Sequence, residues 1–211
     1  MTTPPRPGLR EKRKQATRKA LRDAALRLAL ERGPDNVRVD DIAEAAGVSP
    51  RTYNNYFPSR EQAIVAAVTA EREERVAAAV AAFPASVRLA DAVTEAIVEQ
   101  YTDPGTRDRD VLLLLTANSA LRDAFLGTAA GIEYPLTAVI AERTGDHGQH
   151  TARVLAASVA AAVRIALQQW LRPAPGNGGL VAVSGSLPVL LRTALAPLAP
   201  ALDAAEKEPR R

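Results

Sequence analysis

Four consecutive residues, Gly47-Val48-Ser49-Pro50, constrain this chain more than any other stretch. A glycine that follows helix-forming residues ends the helix, because it enters the left-handed region without steric penalty. Two residues later a serine can accept a hydrogen bond from an amide in the first turn of a new helix. Proline at the next position has no N–H to leave unsatisfied. The expectation is a short helix over about 39–46, a tight turn, and another short helix that Pro58 breaks. Ile42, Ala46, Val48, Tyr53 and Tyr56 recur at spacings that let the two helices pack nearly at right angles, with small Ala43 at the crossing. This is the spacing of a helix-turn-helix. Such a unit lays its later helix in the DNA major groove, N-terminal end first.

The flanking sequence supplies the rest of a head. Leu21, Ala24, Ala25, Leu28 and Ala29 form one apolar stripe on a helix that begins near Arg10 and stops at Gly33-Pro34. Ser59-Arg60-Glu61-Gln62 reads as a capping box for a long helix reaching about Ala82. Further helices are expected near 87–102, 107–117, 119–143, 149–172 and 179–198, separated by Pro/Gly breaks. The chain is therefore read as all-α, with about nine helices. Its expected divisions are a disordered tail over 1–9, a helix-turn-helix domain over 10–58, a helical effector-binding and dimerisation domain over 59–199, and a disordered tail over 200–211.

Charge is distributed unevenly. Residues 1–60 hold 13 Lys/Arg against 7 Asp/Glu, and the remainder holds 14 against 17. Between Arg6 and Arg22 there are eight basic residues and one acid, Glu11. A positive N-terminal third on a mildly acidic remainder suggests that this third meets a polyanion. On the later helix of the pair, Tyr53 faces inward by helical phase, while Arg51, Asn54 and Asn55 lie on the other side. Arg and Asn can each pair with a base edge through two hydrogen bonds. Pro50 leads that helix into the groove. Ser49, Thr52 and Arg60 suit phosphate oxygens, and Tyr56 can aim its hydroxyl at one.

Residues 18–65 resemble the N-terminal domain of the tetracycline-repressor (TetR) family. The resemblance rests on Glu31-Arg-Gly33, Asp41-Ile-Ala43, Ala46-Gly-Val-Ser49, Tyr56-Phe-Pro-Ser59 and Arg60-Glu61. It covers about a quarter of the chain. Two departures from the family pattern stand out, at Arg38 and at the pair Asn54-Asn55. Arg38 stands where Ser or Thr usually caps the second helix and touches phosphate, so it would bind phosphate by charge. Asn54-Asn55 replaces a common tyrosine-histidine pair. The resemblance implies a homodimeric transcriptional regulator, a repressor released from a pseudo-palindromic operator by a small-molecule effector; composition makes a soluble cytoplasmic protein the default expectation, and no cofactor is expected.

The larger half is read from its stripes. Thr151 to Ala166 is dense in alanine, and the segment after Gly179 is broadly apolar. Leu155, Val159, Ala162, Ala166, Val183, Leu187, Leu190, Leu191 and Ala194 are the expected dimer surface, two helices from each copy forming a four-helix bundle. Tyr101, Leu112, Leu115, Asn118, Phe125, Tyr134, Arg164, Gln168 and Trp170 are the expected effector pocket, apolar walls with a few polar groups.

Other classes have less behind them. There is no cysteine, which removes disulfides and thiolate chemistry. His147 and His150 beside Asp146 are too few for a metal site. Ser184-Gly-Ser186 lacks a nucleophile elbow, and Gly176 to Gly179 lacks a phosphate-loop lysine. Glu71, Glu73 and Glu74, interleaved with Arg72 and Arg75, read as a solvated helix face. No run of about 20 uncharged apolar residues suggests a membrane span. The N-terminus lacks the apolar region of a secretory signal. An enzyme is thus the remote alternative. A DNA-binding regulator that is constitutive or controlled by a protein partner is the nearer one.

Overall fold

The computed structural model describes residues 9–69, 72–102, 114–115, 118–146, 148–172 and 185–207. All regular structure among the described residues is helical. The chain divides into two compact units, Met1–Val68 and Thr69–Arg211.

The first unit contains α1 (Leu9–Arg32), α2 (Val39–Ala45), α3 (Pro50–Asn54) and most of α4 (Arg60–Thr69). The stripe of α1 is buried as its spacing predicts, and Leu26 joins it. Gly33 at φ 79° follows α1, and Pro34 opens a 3-10 turn over Pro34–Asn36. Ile42 and Ala43 of α2 are fully buried. The end of α2 is a Schellman turn: Val48 N donates to Ala43 O at 2.9 Å and Gly47 N donates to Glu44 O at 3.0 Å. Gly47 sits at φ 69°, which a side chain would strain. Ser49 Oγ then accepts from Thr52 N at 3.1 Å and caps α3. Ser59 Oγ likewise accepts from Gln62 N at 3.2 Å at the start of α4.

The second unit contains α5 (Arg72–Ala82), α6 (Leu89–Thr102), α7 (Ser119–Gly127), α8 (Glu133–Thr144), α9 (His150–Trp170), α10 (Leu187–Leu195) and α11 (Ala199–Lys207). Its centre is α9, which packs on α8, α10 and the 3-10 turn Thr128–Ile132. Helix α6 is buried along most of its length, from Leu89 to Tyr101, and packs on α5, α10 and α11.

Several expected boundaries change. The helix expected over 59–82 is described as α4 and α5, with residues 70–71 outside the described set. The helix expected over 119–143 is two, because a 3-10 turn containing Gly131 intervenes. Of the helix expected over 107–117, only residues 114–115 are described, and both are helical. The last helix starts at Leu187 rather than 179, and residues 179–184 lie outside the described set. By length and mean hydropathy alone, Ser119–Thr144, His150–Trp170 and Leu187–Glu206 would suffice to cross a membrane. Abundant Ala, Val and Leu raise the mean there, while charges interrupt each stretch, so none is an uncharged apolar run of the kind that the sequence lacks. Within the unit, Leu155, Val159, Val163 and Leu167 of α9 are buried.

The expected disordered tail is wrong over 200–207. Helix α11 buries Leu202 and Ala205, and its acids reach residues far away in sequence. Glu206 accepts from Leu89 N at 2.8 Å and pairs with Arg143 at 2.5 Å, and Arg143 also donates to Val87 O at 2.6 Å. Asp203 pairs with Arg88 at 3.0 Å. Glu206 thus satisfies an orphan amide in the first turn of α6 and places negative charge at its positive end. Residues 208–211 lie outside the described set.

Removing Glu206 leaves the Leu89 amide and the Arg143 guanidinium, 12% exposed, without their carboxylate. Glu206→Ala should cost about 2–3 kcal/mol of stability. Urea unfolding would show the shift, and Glu206→Gln, which keeps an acceptor, should lose less.

Candidate nucleic-acid interface

Helix α3 has five residues and cannot hold itself together in isolation. It is fixed from below by Tyr53, which is fully buried, and by Phe57 just beyond its end, 2% exposed. The two rings lie 6.0 Å apart, tilted at 45°. The guanidinium of Arg18 on α1 sits 5.3 Å from the Phe57 ring centre. The Tyr53 hydroxyl donates to Ser59 O at 2.8 Å, joining α3 to the residue before α4. Burial, followed by the negative charge of Glu61, pushes the Tyr53 hydroxyl from 10.0 up to about 12.

With Tyr53 inward, the opposite side of α3 is bare. Arg51, Asn54 and Asn55 are exposed, as is Pro50 at its leading end, and Thr52 and Tyr56 are half-buried. Ser49 Oγ and Thr52 Oγ lie 2.9 Å apart, so both hydroxyls are engaged with each other at the cap. Arg38 is exposed at the start of α2. Its backbone N donates to the Asp41 carboxylate at 3.0 Å, which caps the helix although no Ser or Thr stands there. Arg60 is placed differently from its expected position on phosphate. Its Nη1 donates to Asp35 O at 3.2 Å and Val37 O at 2.9 Å, and its Nε donates to Glu61 at 2.6 Å.

In the second unit the expected pocket set separates. Tyr101, Leu115 and Phe125 are buried. Asn118 caps α7, its side chain accepting from Leu121 N at 3.0 Å. Tyr134 is 88% exposed, and Arg164 and Gln168 are also exposed on α9. These three do not line an interior: the helical phase of α8 and α9 turns them away from the buried face. Trp170 is half-buried, and Leu112 lies outside the described residues. Arg72, absent from the expected set, joins this interior: its guanidinium lies 4.7 Å from the Tyr101 ring centre and 5.9 Å from that of Phe125. Arg72 and Glu73 are half-buried, contrary to the solvated face expected of them; Glu74 and Arg75 are exposed, and Glu71 lies outside the described residues. Burial pushes the Tyr101 hydroxyl up to about 12, against the pull of Arg72. A run of alternating acids and bases gives no sign of which member turns inward.

The expected dimer surface is also corrected. Leu155, Val159, Ala162, Ala166, Leu187 and Leu191 are buried within the single chain, Leu190 and Ala194 are half-buried, and Val183 lies outside the described residues. The densest stripe on each helix packs against its own neighbours. Apolar residues left in solvent are instead Val154, Ile165 and Val189, between 53% and 61% exposed. Among the described residues no group of three or more His, Cys, Asp and Glu could hold a metal ion, and His147 lies outside them.

Two short helices joined by a Schellman turn, with the polar side of the later one bare, define a helix-turn-helix protein. Residues 21–67 match the family described as bacterial regulatory proteins, tetR family. The chain is 39% identical over 77 residues to the HTH-type transcriptional regulator TcmR of Streptomyces glaucescens, a stretch that covers 36% of this chain and 34% of TcmR. It is 47% identical over 51 residues to the HTH-type transcriptional regulator BetI of Rhizobium meliloti (strain 1021), covering 24% of this chain and 25% of BetI. The similarity thus spans about a third or less of these relatives. In fold, the chain is similar to Thermus thermophilus FadR, a TetR-family transcriptional repressor in complex with lauroyl-CoA, with a TM-score of 0.50 at 21% identity over 92% of this chain and 96% of that one. The family match lies in residues 21–67, and the chain as a whole is similar in fold to FadR.

Tyr53→Phe should cost about 1 kcal/mol by removing the bond to Ser59 O. The raised pKa adds a pH signature. The contribution of a protonated Tyr53 is fully present below 10.0 and is lost as pH rises towards about 12. Urea unfolding at stepped alkaline pH should therefore show a shallower decline for Tyr53→Phe than for the wild type.

Proposed function

We propose that this chain is a DNA-binding transcriptional repressor that acts as a homodimer on a pseudo-palindromic operator and is released by a small-molecule effector. The observation that carries the DNA-binding part is the two-sidedness of α3: Tyr53 is fully buried and Arg51, Asn54 and Asn55 are exposed. Arg51 and Asn55 lie four residues apart on one face, the spacing at which two side chains can reach neighbouring base edges. Arg38, together with Arg13 and Lys14 on α1, supplies exposed positive charge for phosphates.

One such helix reads few base pairs, so a second copy about 34–36 Å away is needed to read a full site. The surface we assign to that copy is the outward side of α9 and α10. Val154, Ala161 and Ile165 fall at i, i+7 and i+11, on one face of α9, and Val189 is exposed on α10. Small residues between the larger ones allow close approach of a partner helix.

The effector reading is supported by the interior of the second unit, where Tyr101, Leu115 and Phe125 are buried, and by the bound lauroyl-CoA in the FadR structure, which has the same fold. The effector acts through the population of two shapes, and it weakens operator binding only by its difference in affinity between them, typically about 1–3 kcal/mol.

Gel shifts on DNA flanking the gene, with and without candidate ligands, test the whole reading. A bound palindrome released by a ligand is the expected result. Retention of the complex by every ligand shown to bind the chain would favour the constitutive regulator.

Arg51→Ala should relax the preference at one base step by about 1–3 kcal/mol. Arg13→Ala or Lys14→Ala should weaken binding evenly across sequences and lower the salt slope by about one. Ile165→Glu should leave the chain folded and shift it to monomer in sedimentation experiments, with loss of two-site binding; a dimer that persists would place the interface elsewhere.

A further inference from the structure

We propose that Arg60 is a positioning residue of the reading head, a brace between the start of α4 and the corner before α2, and not a phosphate contact. This rests on the reading of the head as a DNA-binding unit. A basic residue at the mouth of a positive head is naturally assigned to the DNA backbone, but the geometry assigns this one inward.

Three of the five N–H donors of the guanidinium are committed within the head: Nη1 to Asp35 O and to Val37 O, and Nε to the Glu61 carboxylate. The Nη2 nitrogen lies 3.8 Å from the Asp35 carboxylate. The side chain is 31% exposed, much less than the side chain of Asp35 at 76%. Glu61, itself only 20% exposed, anchors the other end of the fork. Burial disfavours its charged form, but hydrogen bonds from Arg60, its own backbone and Ser59 prevail and hold its carboxyl below the ordinary 4.5.

The two carbonyls that Arg60 holds flank the bend between α1 and α2. Val37 is fully buried, so its carbonyl cannot drift without disturbing the core. The next residue is Arg38, whose guanidinium is exposed and whose amide is capped by Asp41. On the other side of Arg60, Ser59 O receives the Tyr53 hydroxyl from α3. The start of α4 is therefore joined to the start of α2 through one guanidinium and to α3 through one phenol. The distance between the phosphate-facing Arg38 and the base-facing side of α3 depends on both joints. A planar fork can hold two carbonyls and a carboxylate in one fixed arrangement; a lysine ammonium is a point charge on a flexible stem and cannot reproduce it.

Charge and geometry are separated by Arg60→Lys, with Arg60→Gln beside it. The DNA probes are a duplex selected by the wild-type chain from a random-sequence pool and an unselected duplex of the same length. Measurements are made where circular dichroism shows every variant fully folded, so that loss of stability alone moves nothing. For the brace, Arg60→Lys and Arg60→Gln should both lower the ratio of selected to unselected affinity by about tenfold, the size of one misaligned base contact. The slope of log affinity against log salt should stay unchanged in both. Amide exchange over Val37 to Asp41 should rise by about tenfold in both variants without any DNA present.

The proposal is overturned if Arg60→Lys keeps the wild-type ratio while Arg60→Gln weakens both duplexes equally and lowers the salt slope by about one, the signature of a lost phosphate contact. Unchanged amide exchange in Arg60→Lys also overturns it. If the wild-type chain selects no duplex, the reading as a DNA binder has failed, and the exchange measurement alone decides the brace.

Discussion

The burial of Tyr53 decides which side of a five-residue helix looks outward. Successive residues on a helix are rotated by about 100°. With position 53 inward, positions 51 and 55 fall nearly opposite, and 52 and 54 fall at the flanks. Arg51 and Asn55 therefore face away from the core for a reason that has nothing to do with their own chemistry. Burying the aromatic ring contributes about 2–3 kcal/mol, more than a five-residue helix can supply from its own hydrogen bonds. The hydroxyl has a partner in Ser59 O, so this burial leaves no polar atom stranded. The Schellman turn at Gly47 and the cap at Ser49 then set the angle at which α3 leaves α2.

The head was legible because its signals are local. A glycine with positive φ, a serine before a proline, and aromatics at fixed offsets each act within a few residues, and the structure uses them that way. The second unit was less legible because its decisive contacts are distant. Ala199 to Lys207 reads as an alanine-rich, charged tail, yet Glu206 meets Leu89 across 117 positions and Arg143 across 63. No local pattern announces such a partner. Helix α9 shows a related difficulty. Its leucine and valine stripe is correctly periodic, but periodicity identifies a buried face without saying whether the same chain or a second copy buries it. The stripe serves the core of this chain. The residues left outside, Val154 and Ile165, were too sparse to stand out in an alanine-rich sequence.

The same limit governs the charged residues. Counting charges treats each arginine as a solvated cation, whereas a guanidinium is planar, weakly hydrated and able to hold several acceptors at once. Arg143 holds Val87 O and Glu206, Arg72 lies over two aromatic rings, and Arg60 holds two carbonyls and a carboxylate. None of these roles is visible in the residue type or its neighbours in sequence.

This redistribution changes what the positive head can present to a polyanion. The net excess in residues 1–60 counts Arg60, which is turned inward, and Arg18, which lies against Phe57. It also counts Lys19 and Arg27, whose charges are locally answered by Asp23 at 2.6 Å and Glu31 at 3.3 Å, one helical turn on. Pairs on the surface are screened by salt and present little field beyond about 8–10 Å. The cations that remain exposed near α3 are few, with Arg38 and Arg51 foremost. A head of this kind gains its discrimination from where those few groups are held. For the DNA-binding role proposed above, a rigid frame in which α2, α3 and the first turn of α4 are fastened through a phenol and a guanidinium is the physical requirement, because a small number of contacts can select a sequence only if their spacing does not fluctuate.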